Sequence, residues 1–136
     1  MRIHNTLCLM LLAALLFLGC NELLCAQGAR RITGTYTNMY YNEEGGDVLG
    51  EELKIVVTRR GRYQGALQFA EGEPDSLLLV NIEVTGDAIR FSVPEGDTHA
   101  GRFNGTISSN AIQGEFRYAN GAVEKVVLKK GKSYWD

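Results

Sequence analysis

Few residues of this 136-residue chain have the types and spacing that do chemistry. Past the apolar N-terminus there is a single histidine, His99, so a Ser-His-Asp triad would have to be assembled around it. No nucleophile-elbow pattern accompanies it, and a lone histidine between strands is ordinarily solvated. Metal-ligand spacings, a phosphate-cradling glycine loop and a calcium loop are all missing. Cys8, Cys20 and Cys25 all fall within the first 25 residues. The body of the chain therefore has no thiol for a disulfide, a zinc thiolate or a cysteine nucleophile. Asn104-Gly105-Thr106 fits a glycosylation sequon, which carries meaning only in a host that glycosylates. The expectation is a protein that is not an enzyme and that needs no cofactor and no metal.

Carboxylates and aromatic rings are more informative. Glu43, Glu44 and Asp47 fall in a first connection between apolar runs, Glu71, Glu73 and Asp75 in a third, and Glu95 and Asp97 in a fifth. Arg30, Arg31, Arg59, Arg60, Arg62, Lys129, Lys130 and Lys132 fall at the even-numbered connections and the chain ends. Each cluster alone reads as solvated loop charge; their alternation predicts a domain polarised along its axis. Tyr36, Tyr63, Phe69, Phe91, Phe103, Phe116 and Tyr118 share the parity of the apolar residues beside them. Of these, Tyr36, Tyr63, Phe91, Phe103, Phe116 and Tyr118 are the candidate lining of a ligand pocket. A small barrel interior is just wide enough to be filled by such side chains or to hold one small ligand. Tyr134-Trp135 should pack across the basic end or lie exposed as a contact point.

The elements that must position these residues are strands. From Ile32 onward apolar residues recur at every second position, in short runs separated by Gly, Asn, Asp and Pro. The runs are Ile32–Thr37, Leu53–Val57, Tyr63–Phe69, Leu77–Val84, Ile89–Val93, Phe103–Ile107, Ile112–Tyr118 and Val123–Lys129. Asn120-Gly121 is the preferred two-residue hairpin turn, with positive φ tolerated at both positions. Connections this short make sequential strands neighbours. In four strands a glycine (Gly34, Gly65, Gly105, Gly114) sits between two large inward residues. Glycine weakens a strand, so its repetition marks bends or a close approach of another backbone. The fold class is therefore all-β, an antiparallel up-and-down meander of about eight strands closing into a small barrel.

Arg2, an uncharged apolar run from Leu7 to Leu18 and the small residues after it form a signal-peptide pattern over residues 1–26. Asn21 and Glu22 stop the run short of the roughly 20 residues that a membrane-spanning helix needs. Leu16-Phe17-Leu18-Gly19-Cys20 resembles the bacterial lipoprotein cleavage motif, in which Cys20 would carry the lipid; cleavage near Ala26 or Ala29 is the other route. Residues 30–136 then form a single domain in the periplasm or at the outer envelope. A net charge of −2 gives no reason to expect nucleic acid or an anionic membrane as a partner.

The first strand, Ile32-Thr33-Gly34-Thr35-Tyr36, resembles the opening strand of avidin-type and lipocalin-type (calycin-like) barrels, which usually carry Trp where this chain has Tyr36. The resemblance implies a ligand-holding or protein-binding barrel. The leading expectation is an exported binding module with a small apolar ligand in the barrel mouth. The alternatives are a protein-binding or inhibitory barrel that turns its acidic loops to a basic partner, as some small envelope barrels do against lysozymes, and a structural envelope domain. A cavity lined by the inward aromatics would favour the first; a filled core under an acidic rim would favour the second.

Overall fold

The computed structural model describes residues 32–136, and every structural statement below refers to them. The expected signal peptide, Cys20 and Arg30 and Arg31 lie outside the described residues. Nine strands follow one another: β1 (Gly34–Thr37), β2 (Tyr40–Asn42), β3 (Asp47–Val57), β4 (Tyr63–Gly72), β5 (Leu78–Thr85), β6 (Ala88–Val93), β7 (Gly101–Ile107), β8 (Ala111–Tyr118) and β9 (Val123–Gly131). From β3 to β9 each pairs antiparallel with the next. β1 bonds β9 on one side and β3 on the other, which closes an eight-stranded up-and-down barrel, and β2 is one extra strand on β3.

β1 and β2 are one run along β3 broken at Asn38 and Met39. Asn38 turns its side chain into the ladder: its Oδ1 accepts from the Glu51 amide at 2.6 Å, and its own amide donates to the Glu51 carbonyl at 3.0 Å. The break lets β2 follow β3 while β9 ends its pairing with β1 at Thr37–Lys129. The Asn120-Gly121 turn also differs from expectation. Only Gly121 takes positive φ (+90°), and the Asn120 side chain instead caps the Ala122 amide at 2.9 Å. That is a longer hairpin loop with one left-handed glycine, the arrangement open to an Asn that does not take positive φ.

Alternation puts Leu53, Ile55, Leu67, Ile82, Ile89, Ile112, Val126 and Leu128 inside with the aromatic rings. Arg62, Gln64, Asn104, Gln113, Glu115 and Arg117 point to solvent, so the inward parity read from the sequence holds. The glycines serve this packing. Gly105 and Gly114 face each other across β7 and β8. The Phe103 ring lies over both, and a Cβ on either would stand 2.8 Å from its Cζ. Two adjacent positions without side chains thus make room for one large ring, which restores the apolar area the glycines forgo.

Candidate functional site: the acidic mouth of the barrel

The alternating connections sort charge between the two ends. One end carries the β2–β3, β4–β5, β6–β7 and β8–β9 connections (residues 43–46, 73–77, 94–100 and 119–122), which contain Glu43, Glu44, Glu73, Asp75, Glu95 and Asp97 and no Lys or Arg. Asp47 and Glu71, expected in loops, are instead the first residue of β3 and the next-to-last of β4, at that same end. The opposite end carries residues 58–62, 86–87 and 108–110 with Arg59, Arg60 and Arg62, Asp87 being their one acidic residue. Lys130 lies there too, opposite Tyr36, with its Nζ 5.3 Å from the ring centre. Lys132 follows β9, while Lys129 faces outward from it.

Within the acidic rim the barrel wall itself is acidic. Glu51 on β3 lies across from Phe69 on β4, and Glu124 on β9 lies across from Phe116 on β8. Glu71 follows Phe69 at inward parity. Glu51 is only 8% exposed, and its Oε2 has no hydrogen-bond partner. Burial pushes its carboxyl up, and the nearby Glu124 and Glu71 push the same way; a side-chain hydrogen bond from Asn38 and the proximity of His99 oppose them. Tyr118 donates to Glu124 Oε2 at 2.8 Å, and burial together with this carboxylate holds its hydroxyl well above the usual tyrosine range.

His99 is not solvated. It is 5% exposed, stacks on Phe69 with ring centres 4.1 Å apart, and sets Nε2 2.7 Å from Asp75 Oδ2 and Nδ1 4.0 Å from Glu71 Oε1. Its loop is tied down by Asp97, whose Oδ1 accepts from the His99 amide at 2.8 Å. The β6–β7 loop is thereby latched to the β4–β5 loop across the mouth. A single histidine among carboxylates gave no spacing by which this could be read. Glu51 and Glu124 were missed by the sequence reading, although their shared parity with Leu53 and Ile55 and with Val126 and Leu128 is the signal that would have placed them inward.

Of the rings expected to line a pocket, Phe91 and Phe103 stack at 4.9 Å, and Phe116 meets Tyr118 at 4.7 Å and Phe69 edge-on at 5.8 Å. Tyr36 is fully buried, with its hydroxyl bonded to the Ile32 carbonyl at 2.9 Å, and Tyr63 is half-buried against the same core. The space left among Glu51, Phe69, Phe91, Phe103 and Phe116 is about 10 Å³, room for one water. An apolar ligand there would have to displace side chains.

Tyr134 and Trp135 do not cross the basic end. The tail folds back along the outer face of β3 and β4, where Glu52 accepts from the Ser133 hydroxyl at 2.6 Å and the Tyr134 amide at 2.8 Å, and Trp135 Nε1 donates to Gln68 Oε1 at 2.9 Å. These bonds aim the tail at the strands and leave Trp135 55% exposed. Among the described residues no group of histidine and carboxylate side chains has the geometry of a metal site. Comparison with protein-family models, curated proteins and solved structures finds no match to this chain.

Proposed function

We propose that this chain is an exported, non-enzymatic protein-binding module that presents the acidic mouth of its barrel to a cationic partner, the role of the protein-binding or inhibitory calycin-like barrels its first strand resembles. The observation that carries the reading is four connections at one end with six carboxylates and no cation, above an interior already filled. Such a surface raises the encounter rate with a basic protein and repels acidic ones. The signal-peptide pattern over residues 1–26 supports a location in the periplasm or at the outer envelope. With β1 starting at the basic end, a lipid on Cys20 would turn that end toward the membrane and the acidic loops away from it.

The test is to titrate the chain with lysozyme, as a compact cationic protein, and with a capped arginine-rich peptide. Salt is varied between about 0.01 and 1 M, over which the screening length falls from about 30 to about 3 Å. Binding should weaken steeply with salt and on combining Glu43→Gln, Glu44→Gln, Glu73→Gln and Glu95→Gln, whose side chains make no hydrogen bond or ion pair within the described residues. Absence of binding by both probes, or affinity indifferent to both salt and neutralisation, would overturn the reading.

A further inference from the structure

A second concavity lies in the wall of the barrel. β5 pairs with β4 from Leu78 to Ile82, but its ladder with β6 runs only from Ile82–Phe91 to Thr85–Ala88. Leu78, Leu79, Val80 and Asn81 are therefore bonded on their β4 side alone. Ser92 and Val93, which would continue the ladder, pair only with Arg102 and Gly101 of β7. Two strand edges face each other without a ladder between them. A groove of about 470 Å³ lies there, flanked by Leu79, Asn81 and Glu83 on one side and Arg90, Ser92 and Pro94 on the other, and reaching Arg102. That is within the size range of small-ligand and peptide pockets.

The chemistry of the groove is distinct from that of the mouth. Leu79 is 81% exposed, an apolar lip beside the free edge. Arg102 lies directly opposite Arg117 across β7 and β8. No carboxylate comes within ion-pair distance of Arg90, Arg102 or Arg117 among the described residues. Like charges directly opposite in a ladder destabilise it, and an anion placed between them relieves that cost. Glu83, across from Arg90, offsets part of the charge without forming an ion pair.

We infer that this groove takes an extended segment of a partner protein that carries acidic side chains, added as a strand along the open edge of β5 or β6 with its carboxylates on Arg90 and Arg102. The segment's backbone would bond the unladdered groups of Leu78–Asn81 or Ser92–Val93 and its apolar positions would cover Leu79, the usual division of labour in strand addition. Arginine binds a carboxylate through two parallel N–H donors, which favours Asp or Glu over other polar residues. The groove adjoins the acidic rim, because β5 begins directly after the β4–β5 connection and Pro94 belongs to the β6–β7 connection, so the segment's carboxylates must sit at Arg90 and Arg102, with none at the end beside Glu73, Asp75, Glu95 and Asp97.

The experiment is selection of a displayed library of random decapeptides against the full chain, followed by amide hydrogen exchange of the chain with the enriched peptides made as capped synthetic probes. Enriched sequences should carry acidic and apolar residues two positions apart, on the one outward face that Leu79, Arg90 and Arg102 share, and slow exchange at amides within Leu78–Asn81 or Ser92–Val93. Arg90→Gln with Arg102→Gln should weaken them at least about tenfold. Arg59→Gln with Lys125→Gln, which removes the same charge elsewhere, should leave affinity within about twofold. No enrichment, protection confined to other strands, protection absent despite tight acidic peptides, or equal loss in the two double variants would each overturn the proposal.

Discussion

Replacing Gly114 by alanine probes whether the barrel closes by letting two backbones touch. Gly114 is not among the positive-φ glycines, so alanine meets no conformational penalty there. Its Cβ, however, would stand 2.3 Å from the Asn104 carbonyl oxygen, 2.5 Å from Gly105 Cα and 2.8 Å from Phe103 Cζ. The first two are backbone atoms of β7, held by the β6 and β8 ladders on either side, so the strands must part for the methyl to fit. Overpacking of this kind costs about 1–3 kcal/mol, and backbone that cannot yield argues for the upper half of that range. Alanine regains about 0.5–1 kcal/mol over glycine in a strand. The net loss is about 2 kcal/mol, which lowers the midpoint in urea by about 1 M at a slope of about 2 kcal/mol per molar. Gly131→Ala is the control: it too sits in a strand without positive φ, yet its Cβ would meet nothing within 4 Å. It should be neutral or stabilising by up to about 1 kcal/mol. Equal urea midpoints for the two variants would refute the close-approach account of the inward glycines.

Three further outcomes follow from the mouth and the tail. Because burial raises the Glu51 carboxyl above its ordinary value, the folded chain holds that proton more tightly than the unfolded one, so its contribution to stability is full below the ordinary carboxylate range and is lost as pH rises through the raised value. Glu51→Gln should remove this fall, leaving the variant at least as stable as the parent at neutral pH; stability–pH curves of identical shape would contradict it. His99→Ala removes a ring stacked on Phe69 and a bond to a half-exposed carboxylate, and should cost about 1–3 kcal/mol in chemical denaturation, where a solvated histidine would cost nothing measurable. Glu52→Ala should release the tail, and because Trp135 is the only tryptophan in the chain, a red shift and easier quenching of its fluorescence report that release; an unchanged spectrum would mean that Gln68 alone holds it.

The eight barrel strands, their inward parity and the sorting of charge between the two ends were legible in the sequence, because each depends on local information; β2 and the first half of β3 fell in what the sequence pattern reads as a connection. A period of two decides which face a residue occupies, and short loops force neighbours to alternate in direction, so Glu43, Glu73 and Glu95 could only gather opposite Arg59 and Arg60. Three features were decided by contacts between residues far apart in the chain. His99 is buried because Phe69 and Asp75, 24 or more positions away, offer a ring to stack on and a carboxylate to bond, and one-dimensional spacing carries no trace of either. The C-terminal tail lies along β3 and β4 because Glu52 and Gln68 face outward with acceptors that Ser133, Tyr134 and Trp135 can reach. Whether the interior is hollow was settled by volume: the inward residues named from parity were the right ones, but only their meeting across eight strands, with glycines opening space for Phe103 and its neighbours, determines that the rings fill the barrel and leave the larger concavity where the β5–β6 ladder stops.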